Sequence, residues 1–291
     1  MKHSFKITLV LVTIFFISQI IGLGIIDRYI DHETTTPEAR AQGNITWDAL
    51  PLDIERPEIE ESFSFVYILV TILIGTGLVL LIIKLGKHTL WKLWFLFAVV
   101  ITLTFAFGAY INQWAAFILA LLLATYKIFR PNIIIHNLTE IFIYGGLASI
   151  LVPIMNIFAA VALLILISIY DFWAVFKSKH MVKLAKFQTK SKVFAGLLIP
   201  YQMPKKVPKG KNVKTIKVKN AVLGGGDIGF PLIFAGVVMK TTSFLKVIPI
   251  PIFATLALLY LLTTAKEDKF YPAMPIITIG CFIGYGITLL I

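Results

Sequence analysis

Apolar residues along this chain gather in long, uniform runs separated by charged or turn-rich breaks. A run of about 20 residues is long enough to cross ~30 Å of hydrocarbon as a helix. Such runs fall at 7–26, 63–83, 93–111, 113–126, 133–152, 154–176, 219–239, 245–265 and 271–290. They are too long and too uniformly apolar for barrel strands, and only helices and closed barrels satisfy backbone polar groups in lipid. The pattern therefore predicts an all-α polytopic membrane protein with nine transmembrane helices. The fourth run is short and the break at Asn112-Gln113 is slight, so eight spans is the alternative count. The first run follows Lys2, His3 and Lys6, as a signal peptide would. Its apolar stretch from Ile7 to Ile26 exceeds the usual signal core of about 7–15 residues, and Ala39-Arg40-Ala41 lies well past its end, so it is expected to be a retained span.

Composition agrees. Hydrophobic residues make up 58% of the 291 positions and charged residues only 14%. A soluble domain carries about a quarter charged residues, so a cytosolic enzyme and a disordered chain are both excluded. The net charge of +12 would suit a nucleic-acid binder, but most of it lies in one inter-span segment, where bilayer topology explains it better and no nucleic-acid partner is expected. With the N-terminus cytoplasmic, 22 of the 27 cations fall inside, 13 of them lysines of segment 177–219, which has no acid. The C-terminus then lies outside. The outside loop 27–62 holds ten of the fifteen acids and an Asn44-Ile45-Thr46 glycosylation triplet.

The chain divides into an N-terminal bundle, 1–153, with five spans and the acidic external loop 27–62, and a second part, 154–291, with spans six to nine and the Lys-rich cytoplasmic segment 177–219. In that segment Pro200, Pro204, Pro208 and Gly210 break helix, while Val213 to Lys219 alternates as a short strand at the membrane mouth would. A solvated basic linker is the alternative. The chain has no repeat at a solenoid period and no inverted pair of broken spans. Its single cysteine, Cys281, builds no disulfide framework or Cys-based metal site within one chain.

Ionisable residues inside a membrane are expensive and therefore informative. Asp171 lies near the end of span six and Asp227 in the first half of span seven. Asp171 precedes Lys177 by six residues and Asp227 follows Lys219 by eight, which puts them about 9 and 12 Å from the cytoplasmic ends at ~1.5 Å per helical residue. Consecutive spans joined on one side are antiparallel neighbours, so the two carboxyls can face each other. Held close in a poorly solvated place, they cannot easily both ionise and would share one proton. That state offers a base to take a proton from water and an acid to protonate a peptide carbonyl or leaving amine. Gly224, Gly225 and Gly226 weaken the helix before Asp227 by about 1 kcal/mol each and admit close approach by another backbone, which an intramembrane substrate needs because its helix must unwind to be cut. Taken singly, each acid also reads as an interfacial or packing residue and the glycines as a packing face; equal depth and the glycine run together favour a paired role.

These residues resemble a known family. Tyr170-Asp171 and Gly224-Gly225-Gly226-Asp227 are similar to the Tyr-Asp and Gly-x-Gly-Asp signatures of the presenilin and signal peptide peptidase intramembrane aspartyl proteases. Pro272-Ala273-Met274 resembles their Pro-Ala-Leu signature, departing at Met274. An outside C-terminus matches presenilins and is opposite to signal peptide peptidases, so the resemblance is closest to an archaeal presenilin homologue, in the plasma membrane of a microbe. The motifs lie within 154–291; over the first five spans the likeness is one of topology. The resemblance implies a presenilin-like bundle that hydrolyses transmembrane helices of single-span substrates, with Asp171 and Asp227 catalytic, Tyr170 and the three glycines in support, and Pro272, Ala273 and Met274 positioning substrate. The Val213–Lys219 stretch would pair with the unwound substrate.

Other chemistries fit less well. His136 and Glu140 are four apart on span five but lack a third ligand and the metalloprotease spacing, so they read as a packed or interfacial polar pair. There is no Gly-x-Ser-x-Gly, and His3, His32, His88 and His180 fall in loops or termini. No metal or organic cofactor is expected, since two carboxyls and water suffice. The rival is a proton- or ion-coupled transporter using the same acids, although a transporter wants its site near the midplane. A third reading is an assembly scaffold in which the acids only join helices. Both a monomer and a homo-oligomer remain open.

Overall fold

The computed structural model describes residues 4–130, 132–177, 193–201, 220–265 and 271–291. Its helices are α1 (Phe5–Arg28), α2 (Pro37–Ala41), α3 (Ser64–Lys84), α4 (His88–Gly108), α5 (Gln113–Phe129), α6 (Ile133–Leu151), α7 (Ile157–Phe176), α8 (Gly225–Thr241), α9 (Phe244–Val247), α10 (Pro249–Thr264) and α11 (Met274–Thr288). Among the described residues six stretches are long and apolar enough to cross a membrane: Phe5–Arg28, Glu61–Lys84, Thr89–Gly108, Ile133–Leu151, Ile157–Phe176 and Phe244–Thr264. Helices α5 and α11 are shorter apolar helices, and α8 has 17 residues.

Polar residues at the breaks set the helix starts. The Asn112 side chain accepts the Trp114 N–H at 2.9 Å and caps α5, which packs back against α4. Runs three and four are therefore two helices rather than one. Asn132 caps α6 and Asn156 caps α7 in the same way.

The bundle centres on α8, whose residues from Pro231 to Lys240 are all buried. A helix apolar on every side belongs inside. It is surrounded by α1, α6, α7, α10 and α11. Without a hydrophobic drive between helices in lipid, small residues let backbones approach: a Cβ on Gly146 of α6 would lie 1.8 Å from the Thr102 carbonyl oxygen of α4. Helix α3 is the most loosely held, anchored at its start by Lys240, which donates to Glu61 Oε1 and to the Met155 carbonyl, both at 2.9 Å.

Three expectations change. The seventh run is helical only from Gly225; Asn220–Gly224 forms strand β2, antiparallel to β1 (Gly196–Pro200), with Gly196 opposite Gly224 and Leu198 opposite Val222. Only Gly224 of the three glycines stays in the strand, Gly225 and Gly226 opening α8, and Ala221 and Leu223 bury one face of the extended segment. Segment 177–219 is accordingly more than a linker, since β1 lies in it; the strand expected at Val213–Lys219 falls outside the described residues. The ninth run becomes helical only at Met274, whereas the eighth continues through Ile248, itself in the α region, as one span Phe244–Thr264.

Candidate active site

Asp171 sits on the buried face of α7, 4% exposed. Its Oδ2 accepts the Met274 N–H at 3.1 Å, and the Ala273 backbone donates as well. These donors are free because they open α11, where the first turn of a helix has no partners of its own and the macrodipole favours a negative group. One turn away, Ser168 Oγ and Thr278 Oγ1 lie 2.8 Å apart and fix α11 against α7. Pro272, Ala273 and Met274 are all buried. The resemblance assigned them to substrate; their observed contact is through the backbone, to the aspartate.

Asp227 occupies the first turn of α8, three residues after the N-cap Gly224, and is partly exposed. Its carboxyl reaches back to accept the Gly224 N–H, half of a capping box. A Cβ on Gly224 would stand 3.3 Å from Asp227 Oδ2, and one on Gly226 would stand 3.2 Å from the Phe230 ring. Pro231, four residues on, has no N–H to offer the Asp227 carbonyl. The next carbonyl, Ile228, accepts from Gln19 Nε2 of α1 at 2.9 Å. Helices α7 and α8 pack together, and the charge of Asp171 acts on Asp227. Tyr170 lies beside them, partly exposed. The two acids singled out in the sequence therefore share one region, the first buried against the Pro-Ala-Met turn and the second held, partly exposed, by the glycine turn.

The middle glycine of the three is the least forgiving. A Cβ on Gly225 would lie 2.6 Å from the Tyr144 hydroxyl. Tyr144 cannot swing aside, because it is buried and hydrogen-bonded to Glu140. Gly225→Ala is expected to displace Asp227 and lower turnover by about 10²-fold, the scale of a 1 Å misplacement, with the bundle still folded. Reporter cleavage measured beside thermal unfolding checks this; native turnover by the variant would refute it.

Sequence reasoning gave no site role to a further acid that the structure buries. Glu140 is 1% exposed and paired with Lys127, which is 4% exposed. The sequence places Lys127 among the inside cations and reads Glu140 with His136 as a packed or interfacial polar pair, of which the packed reading holds. The available signal was the spacing of four between His136, Glu140 and Tyr144, which puts all three on one face of α6.

The profile of the family described as signal-peptide peptidase, presenilin aspartyl protease matches residues 53–291. Among solved structures, the chain is similar to a presenilin family intramembrane aspartate protease in the P2 space group, with TM-score 0.62 and 16% identity over 96% of each chain. It is equally similar to one in the C222 space group, with TM-score 0.63 and 15% identity over 97% of this chain and 98% of that one. At such identities the likeness is one of fold. No curated protein matches. The family match spans both acidic motifs, the Pro-Ala-Met turn and most of the helices around them, and by it the chain belongs to the signal-peptide peptidase and presenilin family of aspartyl proteases.

Proposed function

We propose that Asp171 and Asp227 are the catalytic pair of an intramembrane aspartyl endopeptidase that hydrolyses peptide bonds in transmembrane helices of single-span proteins. The observation that carries this reading is the seating of Asp171 on the free N–H groups of α11, beside α8 and within electrostatic reach of Asp227. Met274 ties Asp171 Oδ2 as an acceptor, so the shared proton belongs on one of the other carboxyl oxygens. The ionised member takes a proton from water as the oxygen attacks the peptide carbon, and the protonated member gives its proton toward the carbonyl oxygen. Collapse of the tetrahedral intermediate breaks the C–N bond, the amine leaves protonated, and the pair again holds one proton.

Nine helices cross the bilayer in this reading, with the N-terminus cytoplasmic and the C-terminus external. The shorter α5, α8 and α11 fit a bilayer thinned around a water-accessible site. Residues 1–153 form the supporting bundle and 154–291 the catalytic part. An unwound substrate pairs with the outer edge of β2, where Val222 is 44% exposed and, among the described residues, no strand lies beside the backbone on that side. The test is product: the purified chain should cut a single-span reporter and leave new termini, read by mass spectrometry, inside its hydrophobic segment. Ion flux across vesicles without such product would favour the transport reading instead.

A further inference from the structure

An antiparallel pair of strands leaves one edge of each without a partner. The free edge of β1 is taken by three side chains of a single helix, α6. Asn137 donates from Nδ2 to the Leu198 carbonyl at 2.8 Å and accepts the Leu198 N–H on Oδ1 at 3.0 Å. His136 Nε2 donates to the Gly196 carbonyl at 2.7 Å, and Glu140 Oε2 accepts the Gly196 N–H at 3.0 Å. Together they do for β1 what a third strand would do.

Glu140 joins the most elements. Its Oε1 accepts from Lys127 Nζ of α5, while Oε2 takes both Gly196 N–H and the Tyr144 hydroxyl. Lys127 also donates to Thr139 Oγ1 at 3.0 Å. A buried ion pair generally gains little stability over apolar residues of the same volume. Its presence here is better accounted for by the geometry it fixes. Tyr144, held by Glu140, fills the space against Gly225 and lies 3.5 Å from where a Gly229 Cβ would stand. On the other side, Gly225 N–H donates to the Ala195 carbonyl at 3.1 Å, continuing the β1–β2 ladder into the first turn of α8. Gly196 itself has φ +137, and a Cβ there would lie 2.1 Å from the Leu223 carbonyl oxygen, so strand and clamp fit only without a side chain. The Glu140 carboxylate thus touches the glycine turn by two routes, through β1 and through Tyr144.

We infer that Glu140 is a positioning residue for Asp227, holding the turn Gly224-Gly225-Gly226 through Gly196 and Tyr144 so that the aspartate keeps its place beside Asp171. The inference rests on the catalytic assignment above. It treats Lys127, His136 and Asn137 as parts of the same clamp, none of them touching substrate.

The experiment measures kcat and KM separately on a single-span reporter with the full purified chain, beside thermal unfolding. Tyr144→Phe breaks one route and leaves the ion pair intact. Lys127→Met combined with Glu140→Gln removes both charges together, so no lone buried charge remains. Each is expected to lower kcat at least tenfold with KM within twofold of native and with the unfolding midpoint nearly unchanged. A role in stability alone would lower the midpoint and leave kcat of the folded fraction native, and that result overturns the inference. If the double variant does not fold, Tyr144→Phe decides. Asp227→Asn separates the two levels. Native cleavage by that variant sinks the catalytic assignment and this inference with it. An inactive Asp227→Asn beside native kcat in Tyr144→Phe and the double variant sinks the role of Glu140 alone.

Discussion

Asparagine at either Asp171 or Asp227 is expected to lower turnover by at least about 10³-fold while leaving the fold intact, since general acid–base groups contribute factors of roughly 10²–10⁴. The replacement is nearly isosteric at both places. At position 171 the amide oxygen can still accept the Met274 N–H, and at 227 it can still accept the Gly224 N–H. What disappears is the exchangeable proton. A pair that works as one unit is strongly non-additive, so the double variant should be no slower than the worse single variant. Initial rates on a single-span reporter, together with unfolding temperatures, check this. Either variant keeping more than about a tenth of native turnover would remove its aspartate from the chemistry.

Much of the architecture was legible because lipid leaves a chain few choices. Apolar runs marked the helices, and scarcity of charge picked out Asp171 and Asp227 before any contact was known. The misses share a cause: each depends on a partner distant in sequence. Gly196–Pro200 is a five-residue apolar strand inside a basic segment, and nothing local pairs it with Asn220–Gly224. The same pairing moved the start of α8 to Gly225, which converts Asp227 from a mid-helix residue into a first-turn one. Lys127 reads as an inside cation and Glu140 as half of a packed or interfacial pair with His136. Only the packing of α5 against α6 makes Lys127 and Glu140 a buried pair. The grip of Ala273 and Met274 on Asp171 was invisible for a different reason, since it runs through main-chain donors and any side chain there would make it. That is also why Met274, where the family signature has Leu, leaves the contact in place.

Gly284→Leu should cost both stability and activity, through the seat of α11. A Cβ at Gly284 would stand 2.6 Å from Ile250 Cα and 2.7 Å from the Pro249 carbonyl oxygen; at Gly280, one turn earlier, it would stand 2.4 Å from the Phe253 carbonyl oxygen. These neighbours are backbone of α10 and cannot turn aside. The two helices would have to part along the Gly280–Gly284 seam, where close approach supplies the packing that holds helices together in lipid. Overpacking of this kind costs about 1–3 kcal/mol, and an active-site displacement of 1 Å costs about 10²-fold in rate. Both apply, because α11 carries the Met274 N–H onto Asp171 and Thr278 onto Ser168. Gly286→Ala on the same helix is the control: nothing lies within 4 Å of its Cβ, and Ala in a helix interior is worth roughly 0.5–1 kcal/mol over Gly, so it should be neutral or slightly stabilising. Unfolding temperature and kcat for Gly280→Val, Gly284→Leu and Gly286→Ala decide it. If the first two match the third in both measurements, the α10–α11 seam does not set the position of Asp171, and its hold on α7 must come from the Ser168–Thr278 contact instead.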